Sequence, residues 1–268
     1  MSITTMLFVP ADRPERFAKA AASGADAVIL DLEDAVAPEG KAAARENAAR
    51  SSTNARTFIR INPASSDDFP EDVSLLARAG FRNVMLSKAE TPGELERVVK
   101  ELGETVTIVP LIETAVGLSN ARELAAHRAV PFLAFGSLDF ALDLGCEHTH
   151  EALRFARQTL VYSSRLARKA APIDGVTAAI DDAVLINADA SEARSLGFAG
   201  KLLIHPKQIA PVRQAFQPSE TEMRWAKQVL DAVAQNGTKA VKVNGQMVDR
   251  PVMSRAERIL SLSASYDG

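Results

Sequence analysis

The sequence predicts an α/β fold, and within that class a closed (β/α)8 TIM barrel with a C-terminal extension. Eight short apolar runs recur along the chain, and most are separated by segments with helical spacing of apolar residues. Strands and helices that alternate in this way form parallel sheets with crossover helices, and eight units in about 215 residues fit a closed barrel. At 268 residues with 47% apolar content, the chain can bury one large core.

An open doubly wound sheet is the alternative fold. The first apolar run, MLFVP, is followed by ADRPER. A dinucleotide-binding sheet would carry a G-x-G-x-x-G turn at this point. The sequence therefore favours the barrel.

The predicted strands are short apolar runs, the pattern expected of a parallel sheet that is buried on both faces. They are residues 6–10, 27–31, 57–62, 83–88, 107–114, 131–136, 171–175 and 200–206. The predicted helices between them are residues 14–23, 39–50, 69–79, 92–102, 151–169 and 188–196. These elements assign residues 1–217 to a catalytic barrel domain.

The remaining residues, 218–268, are not needed to close a barrel. They predict a helix over 219–235, a hairpin in KAVKVNGQMVD, where Asn244-Gly245 is a strong turn signal, and a helix over 251–263. Such an appendage can cap the barrel of its own subunit or reach the site of a neighbour. We therefore predict a lid or oligomerisation extension.

Composition excludes several classes of protein. No apolar run approaches the roughly 20 residues that span a bilayer, and MSITTMLFVPADRPER lacks the features of a signal peptide, so the expected location is the cytoplasm. Cys146 is the only cysteine, so an internal disulfide framework is excluded. The net charge of -3 comes from interspersed acids and bases, which predicts no nucleic-acid partner.

Polar side chains follow most of the predicted strands. Because the active site of a (β/α)8 barrel lies at the C-terminal ends of its strands, these residues should meet at one mouth. Each acid alone is explained by solvent exposure or by a helix N-cap, but the set together predicts an active site. In strand order they are Arg13; Asp31, Glu33 and Asp34; Arg60 and Asn62; Lys88 and Glu90; Glu113 and Thr114; Ser137 and Asp139; Asp174; and His205 with Gln208.

Glu113 and Asp139 end neighbouring strands in otherwise apolar contexts, PLIET and AFGSLD. Two carboxylates held close together repel unless a proton or a cation lies between them. Oxygen donors favour a hard ion, so the pair predicts a Mg²⁺ site completed by water. Zinc is disfavoured, because His148 and His150 form the only local histidine pair, in a predicted loop.

Arg60 lies inside the strand FIRIN, where an unpaired guanidinium would be costly. One interpretation is a salt bridge to Asp31 or Glu33. The other is bidentate recognition of a substrate carboxylate. Both hold if an acid orients Arg60 while its outer edge faces the ligand.

Ten motifs are spread along nearly the whole chain: FVPADRPERFAKA, ILDLEDAV, FIRIN, SKAE, LIET, FGSLDF, PIDG, GFAGK, IHPKQI and QMVDRP. Together they resemble the citrate lyase beta subunit and malyl-CoA lyase family of the HpcH/HpaI aldolase superfamily. The resemblance implies a (β/α)8 barrel, a homotrimer or hexamer, and bound Mg²⁺. It departs from the family pattern at Ser87 and Asn244, which bear on substrate fit rather than on the chemistry.

The resemblance also implies roles for individual residues. Glu113 and Asp139 would bind the metal, Arg60 would bind the substrate carboxylate, and Asp249 would be the acid/base on a lid from an adjacent subunit. Arg13, with Arg16 or Lys19, would lie near the phosphates of coenzyme A, unless it is a surface arginine at a helix start. The remaining expected substrate-binding residues are Asp31, Glu33, Asp34, Lys88 and His205, with the three acids acting behind the metal and its waters rather than as ligands.

The expected reaction is cleavage or formation of a carbon–carbon bond in a citryl-, malyl- or citramalyl-CoA type thioester, giving acetyl-CoA and a 2-oxo acid. Thioester hydrolysis at the same site is one alternative. A subunit of a citrate lyase complex that depends on an acyl carrier protein is the other.

Overall fold

The structure is a computed structural model that describes residues 3–51, 56–236 and 241–264. The chain divides into two compact units, residues 3–213 and the residues that follow from Gln214. The first unit is a closed barrel of eight parallel strands, which confirms the predicted fold class. The strands are β1 (Thr5–Pro10), β2 (Ala27–Asp31), β3 (Thr57–Ile61), β4 (Asn83–Leu86), β5 (Thr107–Ile112), β6 (Ala134–Phe135), β7 (Ile173–Asp174) and β8 (Gly200–Leu203).

Each strand pairs with the next along the chain, and β1 pairs with β8 to close the ring. Side chains alternate between the two faces of a strand, so every second residue points into the barrel. These inner residues form one buried apolar cluster that includes Met6, Ile29, Phe58, Leu111 and Leu202. The next inward position on four of the strands, toward the C-terminal end, is Phe8, Asp31, Arg60 or Glu113. The polar residues of the mouth therefore form the top layer of the barrel interior.

Helices connect the strands and cover the outside of the barrel. In this unit they are α1 (Phe17–Ala21), α2 (Lys41–Arg50), α3 (Phe69–Ala79), α4 (Pro92–Leu102), α5 (Ala115–Ser119), α6 (Ala121–Ala126), α7 (Ser137–Leu144), α8 (His150–Leu166), α9 (Ala183–Leu196) and α10 (Ile209–Phe216), which runs past Arg213. Short 3-10 turns at Pro14–Arg16, Pro38–Gly40 and Pro206–Gln208 precede three of them.

Helix ends follow local capping chemistry. Thr91 and Glu94 form a reciprocal capping box at the start of α4. The carboxylate of Asp182 accepts a hydrogen bond of 2.9 Å from the backbone of Leu185, so α9 begins at Ala183 rather than at the predicted residue 188. The helix predicted over 151–169 ends at Leu166, and Arg168 takes a left-handed conformation at φ 57°.

The C-terminal unit contains α11 (Glu220–Asn236), a hairpin of β9 (Val241–Val243) and β10 (Gln246–Val248), and α12 (Arg250–Ala264). Lys239 and Ala240 of the predicted hairpin lie outside the described residues. Asn244 and Gly245 have φ of 50° and 82°, as a two-residue hairpin turn requires. The two helices share a buried cluster of Ala226, Val229, Ala256 and Ile259. None of the helices in the described ranges is long and apolar enough to cross a bilayer.

Candidate active site

A cavity of about 320 Å³ opens at the C-terminal ends of the barrel strands, and we call it the mouth cavity. Its charged lining consists of Asp31, Asp34, Arg60, Glu113 and Asp139. With Glu33 and Lys88, which contact Arg60, Glu113 or Asp139, these residues form a mouth cluster. The sequence predicted that polar residues from all eight strands would converge here; the structure brings together those that lie on or follow β2 to β6.

Asp31 and Arg60 are direct register partners on β2 and β3. The carboxylate of Asp31 accepts hydrogen bonds of 2.7 Å from Nε and 2.5 Å from Nη2 of Arg60. The guanidinium also stacks 4.8 Å from the centre of the Phe8 ring. Arg60 is only 8% exposed, so this bidentate pair fixes its orientation.

The predicted salt bridge between Arg60 and an acid is therefore present, and it does not use all the N–H donors of the guanidinium. A guanidinium carries five N–H groups, and Asp31 takes two of them. Nη1 lies 2.9 Å from Oε2 of Glu33. Burial lowers the pKa of Arg60, but the charges of Asp31 and Glu33 outweigh it and raise the pKa overall. The residue stays cationic, with its outer edge at the mouth cavity.

Lys88 contacts acids from three different segments of the mouth. Its Nζ lies 2.6 Å from Oε1 of Glu33 and 3.5 Å from Oδ1 of Asp139, while its backbone N–H donates a 2.7 Å hydrogen bond to Glu113. Lys88 has a φ of 46°, a conformation that a non-glycine residue rarely adopts. Burial lowers the pKa of Lys88, but the hydrogen bond to Glu33 and the charge of Glu113 raise it overall.

Glu113 is deeply buried at the mouth, with 2% of its surface exposed. Burial raises the pKa of Glu113 to about 8, and the neighbouring charges of Arg60 and Glu33 act in opposite directions. Its side chain lies against Gly136, where a Cβ would come within 2.2 Å of Cγ and 2.5 Å of Oε1 of Glu113. Only a glycine leaves room for this carboxylate.

Asp139 lies in the first turn of α7 rather than in β6, so it reaches the mouth from a helix. Its side chain is 32% exposed, and its closest described ionic contact is Lys88. In the described part of the chain, no three His, Cys, Asp or Glu side chains converge as a ready metal site. A cation held by Glu113 and Asp139 would need water or substrate oxygens to complete its coordination, as Mg²⁺ commonly does.

The charge balance of the mouth cluster fits a cation. Five carboxylates face two cationic groups, an excess of three negative charges when all are ionised. The donors are all carboxylate oxygens, the type that Mg²⁺ prefers. Burial is the main cause of the raised pKa of Glu113, and the charges of Glu33 and Asp139 add to it.

Two of the residues predicted to bind substrate, Arg13 and His205, lie outside the mouth cluster. Arg13 follows β1 with 58% of its side chain exposed, 3.9 Å from Asp12. His205 caps the 3-10 turn after β8, and its Nδ1 accepts a 3.2 Å hydrogen bond from the backbone of Lys207. Asp249 belongs to the C-terminal unit, where it is exposed and caps α12 through a 3.1 Å bond from Val252.

A side cavity of about 200 Å³ shares Phe135, Ser137 and Val176 with the mouth cavity. Beneath it the buried Lys201 lies 2.9 Å from both Asp174 and Asp189. Asp174, expected at the mouth, therefore belongs to this ion-pair cluster, which joins β7 and β8 to α9.

Sequence reasoning missed two features of the site. Gly136 was predicted only as the end of an apolar run, although its place before Ser137 and Asp139 was a signal of close approach. Lys41 was placed inside a predicted helix with no role, but its ammonium contacts the backbone beside Glu33. The identity of its acceptors depends on long-range folding that local periodicity does not encode.

Comparisons with known proteins agree with the barrel fold. The profile of the HpcH/HpaI aldolase/citrate lyase family matches residues 4–206, and that of carbon–carbon bond lyases of the TIM-barrel fold matches residues 146–267. A citrate lyase subunit beta-like protein from Deinococcus radiodurans is 37% identical, with 98% of each chain covered. A (3S)-malyl-CoA thioesterase from Cereibacter sphaeroides is 29% identical, with 97% of each chain covered.

Among solved structures, CitE from Mycobacterium tuberculosis in complex with magnesium, acetoacetate and coenzyme A resembles this chain with a TM-score of 0.90. The two sequences are 35% identical, and the match covers 98% of each chain.

Proposed function

The chain belongs to the HpcH/HpaI aldolase/citrate lyase family, and from that premise we propose that it is a Mg²⁺-dependent carbon–carbon lyase. Its substrate would be a 3-hydroxyacyl thioester of coenzyme A of the citryl, malyl or citramalyl type. One observation carries this proposal: Arg60 and the carboxylates of Glu113 and Asp139 line the same cavity. This combination suits a substrate with a carboxylate next to a metal-binding hydroxyl.

Glu113 and Asp139 would hold the metal. Bound Mg²⁺ would polarise the oxygen on C3 of the substrate and so favour loss of the hydroxyl proton. The backbone N–H of Lys88 holds Glu113 by a 2.7 Å hydrogen bond, and the side chain of Lys88 lies 3.5 Å from Asp139. The similar CitE structure contains magnesium, which supports the choice of ion.

Arg60 would bind the substrate carboxylate that is attached to C3. Asp31 takes two N–H groups of the guanidinium and Glu33 takes one, so one N–H on Nη1 and one on Nη2 are left to donate to the substrate carboxylate. This contact places the C2–C3 bond at the centre of the mouth and restricts its rotation. Asp34, which is 55% exposed at the cavity edge, would limit the approach of further anions.

Cleavage breaks the bond between C2 and C3. The C3 hydroxyl gives its proton to water, C3 becomes the carbonyl of a 2-oxo acid, and the bonding electrons move to C2 as the enolate of the acyl thioester. C2 then gains one proton, so the reaction neither consumes nor releases protons overall. We assign to Asp249 the proton transfer that converts this enolate to acetyl-CoA. Exclusion of water by the C-terminal unit would protect the enolate, as the family resemblance implies.

The assay combines the purified chain with Mg²⁺ and malyl-, citramalyl- or citryl-CoA, and traps any 2-oxo acid as its phenylhydrazone. We expect one oxo acid per thioester consumed, with loss of activity on chelation and in Glu113→Gln and Asp139→Asn variants. Lys100→Met, on the exposed face of α4, serves as the control variant. Turnover that persists in strong chelator would contradict the proposal.

Thioester hydrolysis is the second candidate, and the relative named (3S)-malyl-CoA thioesterase is the observation that favours it. Hydrolysis releases free coenzyme A thiol and an intact hydroxy acid, whereas the lyase reaction releases neither. Measuring thiol and oxo acid in the same reaction separates the two activities. If free thioesters give neither product, the same panel carried on acyl carrier protein tests the citrate lyase subunit alternative.

We also propose that Asp249 acts in the site of a neighbouring copy in a homotrimer or hexamer. Mixing Asp249→Asn protein with Glu113→Gln protein under exchange conditions tests this assignment. Recovery of activity on mixing is expected if the two residues can come from different chains. No recovery, with subunit exchange verified by mass, would contradict it.

A further inference from the structure

We propose that Lys41, at the start of α2, is a positioning residue for the lyase reaction, because it fixes the backbone of the Asp31–Asp34 loop so that Glu33 can hold Arg60 and Lys88. This inference rests on the proposed function. It adds a residue outside the mouth cavity to those on which catalysis depends.

The ammonium of Lys41 is fully used within the protein. Its Nζ donates to the carbonyl oxygen of Leu32 at 2.7 Å, to that of Glu33 at 2.9 Å and to Oδ1 of Asn62 at 2.8 Å. A lysine has three donors, and here each meets one acceptor. Two of the three acceptors are successive backbone carbonyls of the loop, so Lys41 holds the direction of that loop directly.

The third acceptor is itself held rigidly. Asn62 follows β3, and its side-chain amide donates to the carbonyl of Leu32 at 3.1 Å and to Asp72 at 2.6 Å. The carboxylate of Asp72 is fully buried and also accepts a 2.7 Å hydrogen bond from Nε of Arg45. Asn62 is therefore fixed by side chains of α3 and α2, and it offers Lys41 an acceptor of fixed position.

The side chain of Glu33 contacts the two cationic groups of the mouth cluster, while its backbone carbonyl is bonded to Lys41. Oε1 lies 2.6 Å from Lys88, and Oε2 lies 2.9 Å from Nη1 of Arg60. These contacts depend on where the Glu33 backbone lies, and the carbonyl bonded to Lys41 belongs to the same residue. Loss of Lys41 would remove one of the two donors at each of these carbonyls, so the loop would lose two of its restraints and could move.

The expected defect is therefore in the placement of Arg60 and Lys88 rather than in metal binding. Glu113 and Asp139 make no described contact with Lys41, so affinity for Mg²⁺ should be unchanged. If Arg60 is misplaced, it should bind the carboxylate of a 2-oxo acid more weakly, and kcat/KM should fall by about 10- to 100-fold.

Two variants separate geometry from charge. Lys41→Met removes both, whereas Lys41→Arg keeps the positive charge but spreads its donors over a planar fork that cannot converge on three acceptors. We expect both to lose kcat/KM and both to bind Mg²⁺ like wild type. Full activity in Lys41→Arg would show that only charge matters and would overturn the positioning role. Should Lys41→Met not fold, Lys41→Arg alone still tests the proposal.

The decisive measurement is a double-mutant cycle with Glu33→Gln, using kcat/KM and the calorimetric Kd of a 2-oxo acid. If Lys41 acts through Glu33, the second substitution should add less than about 2-fold to the loss from the first. Fully multiplicative effects, or an unchanged kcat/KM and Kd in Lys41→Met, would overturn the inference. Lys100→Met is the matched control for removing a helical lysine. Wild-type protein that forms no oxo acid would overturn the proposed function instead.

Discussion

Replacing Gly136 with alanine should displace Glu113 and weaken metal binding. The new Cβ would lie 2.2 Å from Cγ, 2.5 Å from Oε1 and 2.7 Å from Cδ of Glu113. Carbon atoms in contact normally lie ~3.5–4.0 Å apart, so the side chain would have to retreat by more than ~1 Å. The 2.7 Å hydrogen bond from the backbone of Lys88 to Glu113 would be broken or stretched at the same time.

The expected size of the effect follows from the demands of the ion. Mg²⁺ requires oxygen ligands at ~2.0–2.1 Å in near-octahedral geometry, so a carboxylate displaced by ~1 Å no longer coordinates. We expect Mg²⁺ affinity to fall by ~100-fold or more, or ~2.8 kcal/mol. Isothermal titration calorimetry with Mg²⁺ measures the Kd directly, and the rise in Tm at saturating Mg²⁺ gives an independent value.

Gly93→Ala is the matched control. A Cβ at Gly93 would meet only Oγ1 of Thr91, at an ordinary 3.8 Å, so its Mg²⁺ affinity should equal that of wild type. A Gly136→Ala variant with wild-type urea midpoint and wild-type Mg²⁺ affinity would refute the assignment of Glu113, in the position described, as a metal ligand. If that variant is unstable, Glu113→Gln provides the same test without the steric change.

Three further predictions concern the same site. Because burial raises the pKa of Glu113 to about 8, the group holds its proton at pH 7; binding of Mg²⁺ should then release ~0.9 proton, and almost none above pH 9. Calorimetry in buffers of different ionisation enthalpy measures this release, and a pH-independent value would contradict it. Arg60→Lys keeps the charge beside Asp31 but loses the two-pronged contact, so steady-state kinetics should show KM for the oxo acid at least ~10-fold higher with unchanged Mg²⁺ affinity. Asp249→Asn should lower kcat by ~10²- to 10⁴-fold and abolish exchange of the C2 protons of acetyl-CoA with D₂O; normal exchange would remove Asp249 from the proton-transfer step.

The positions of the eight strands were predictable from the sequence because buried parallel strands leave apolar runs that local inspection detects. Two of the predicted strands are much shorter in the structure. The runs at 131–136 and 171–175 contain β6 and β7, each of only two residues, because the adjacent strands pair with them over a short stretch. Helices α5, α6, α7 and α10 were not predicted. In α7 the sequence SLDFALDL leaves Leu142 81% exposed, so its apolar pattern does not mark a single buried face.

The candidate site was predictable only in part. Asp31, Arg60 and Glu113 end strands whose inward positions alternate with period two, and this places them at the mouth. Arg13 and His205 also follow strands, but one lies past a turn and the other caps a helix, so strand position alone did not bring them to the cavity. The partners of Lys41 come from two other segments of the chain, and only the folded barrel brings them together.

The register that pairs Asp31 with Arg60 limits how this mouth can change during evolution or design. A one-residue insertion or deletion in β2 or β3 would turn one of the two side chains toward the outer helices and leave the other buried without its counter-ion. Insertions or deletions after Asp34, or substitutions in the cavity lining around Val176, leave the pairing of β2 with β3 intact. New specificity for 2-oxo acids is therefore best sought in libraries that vary the rim and keep the strand register unaltered.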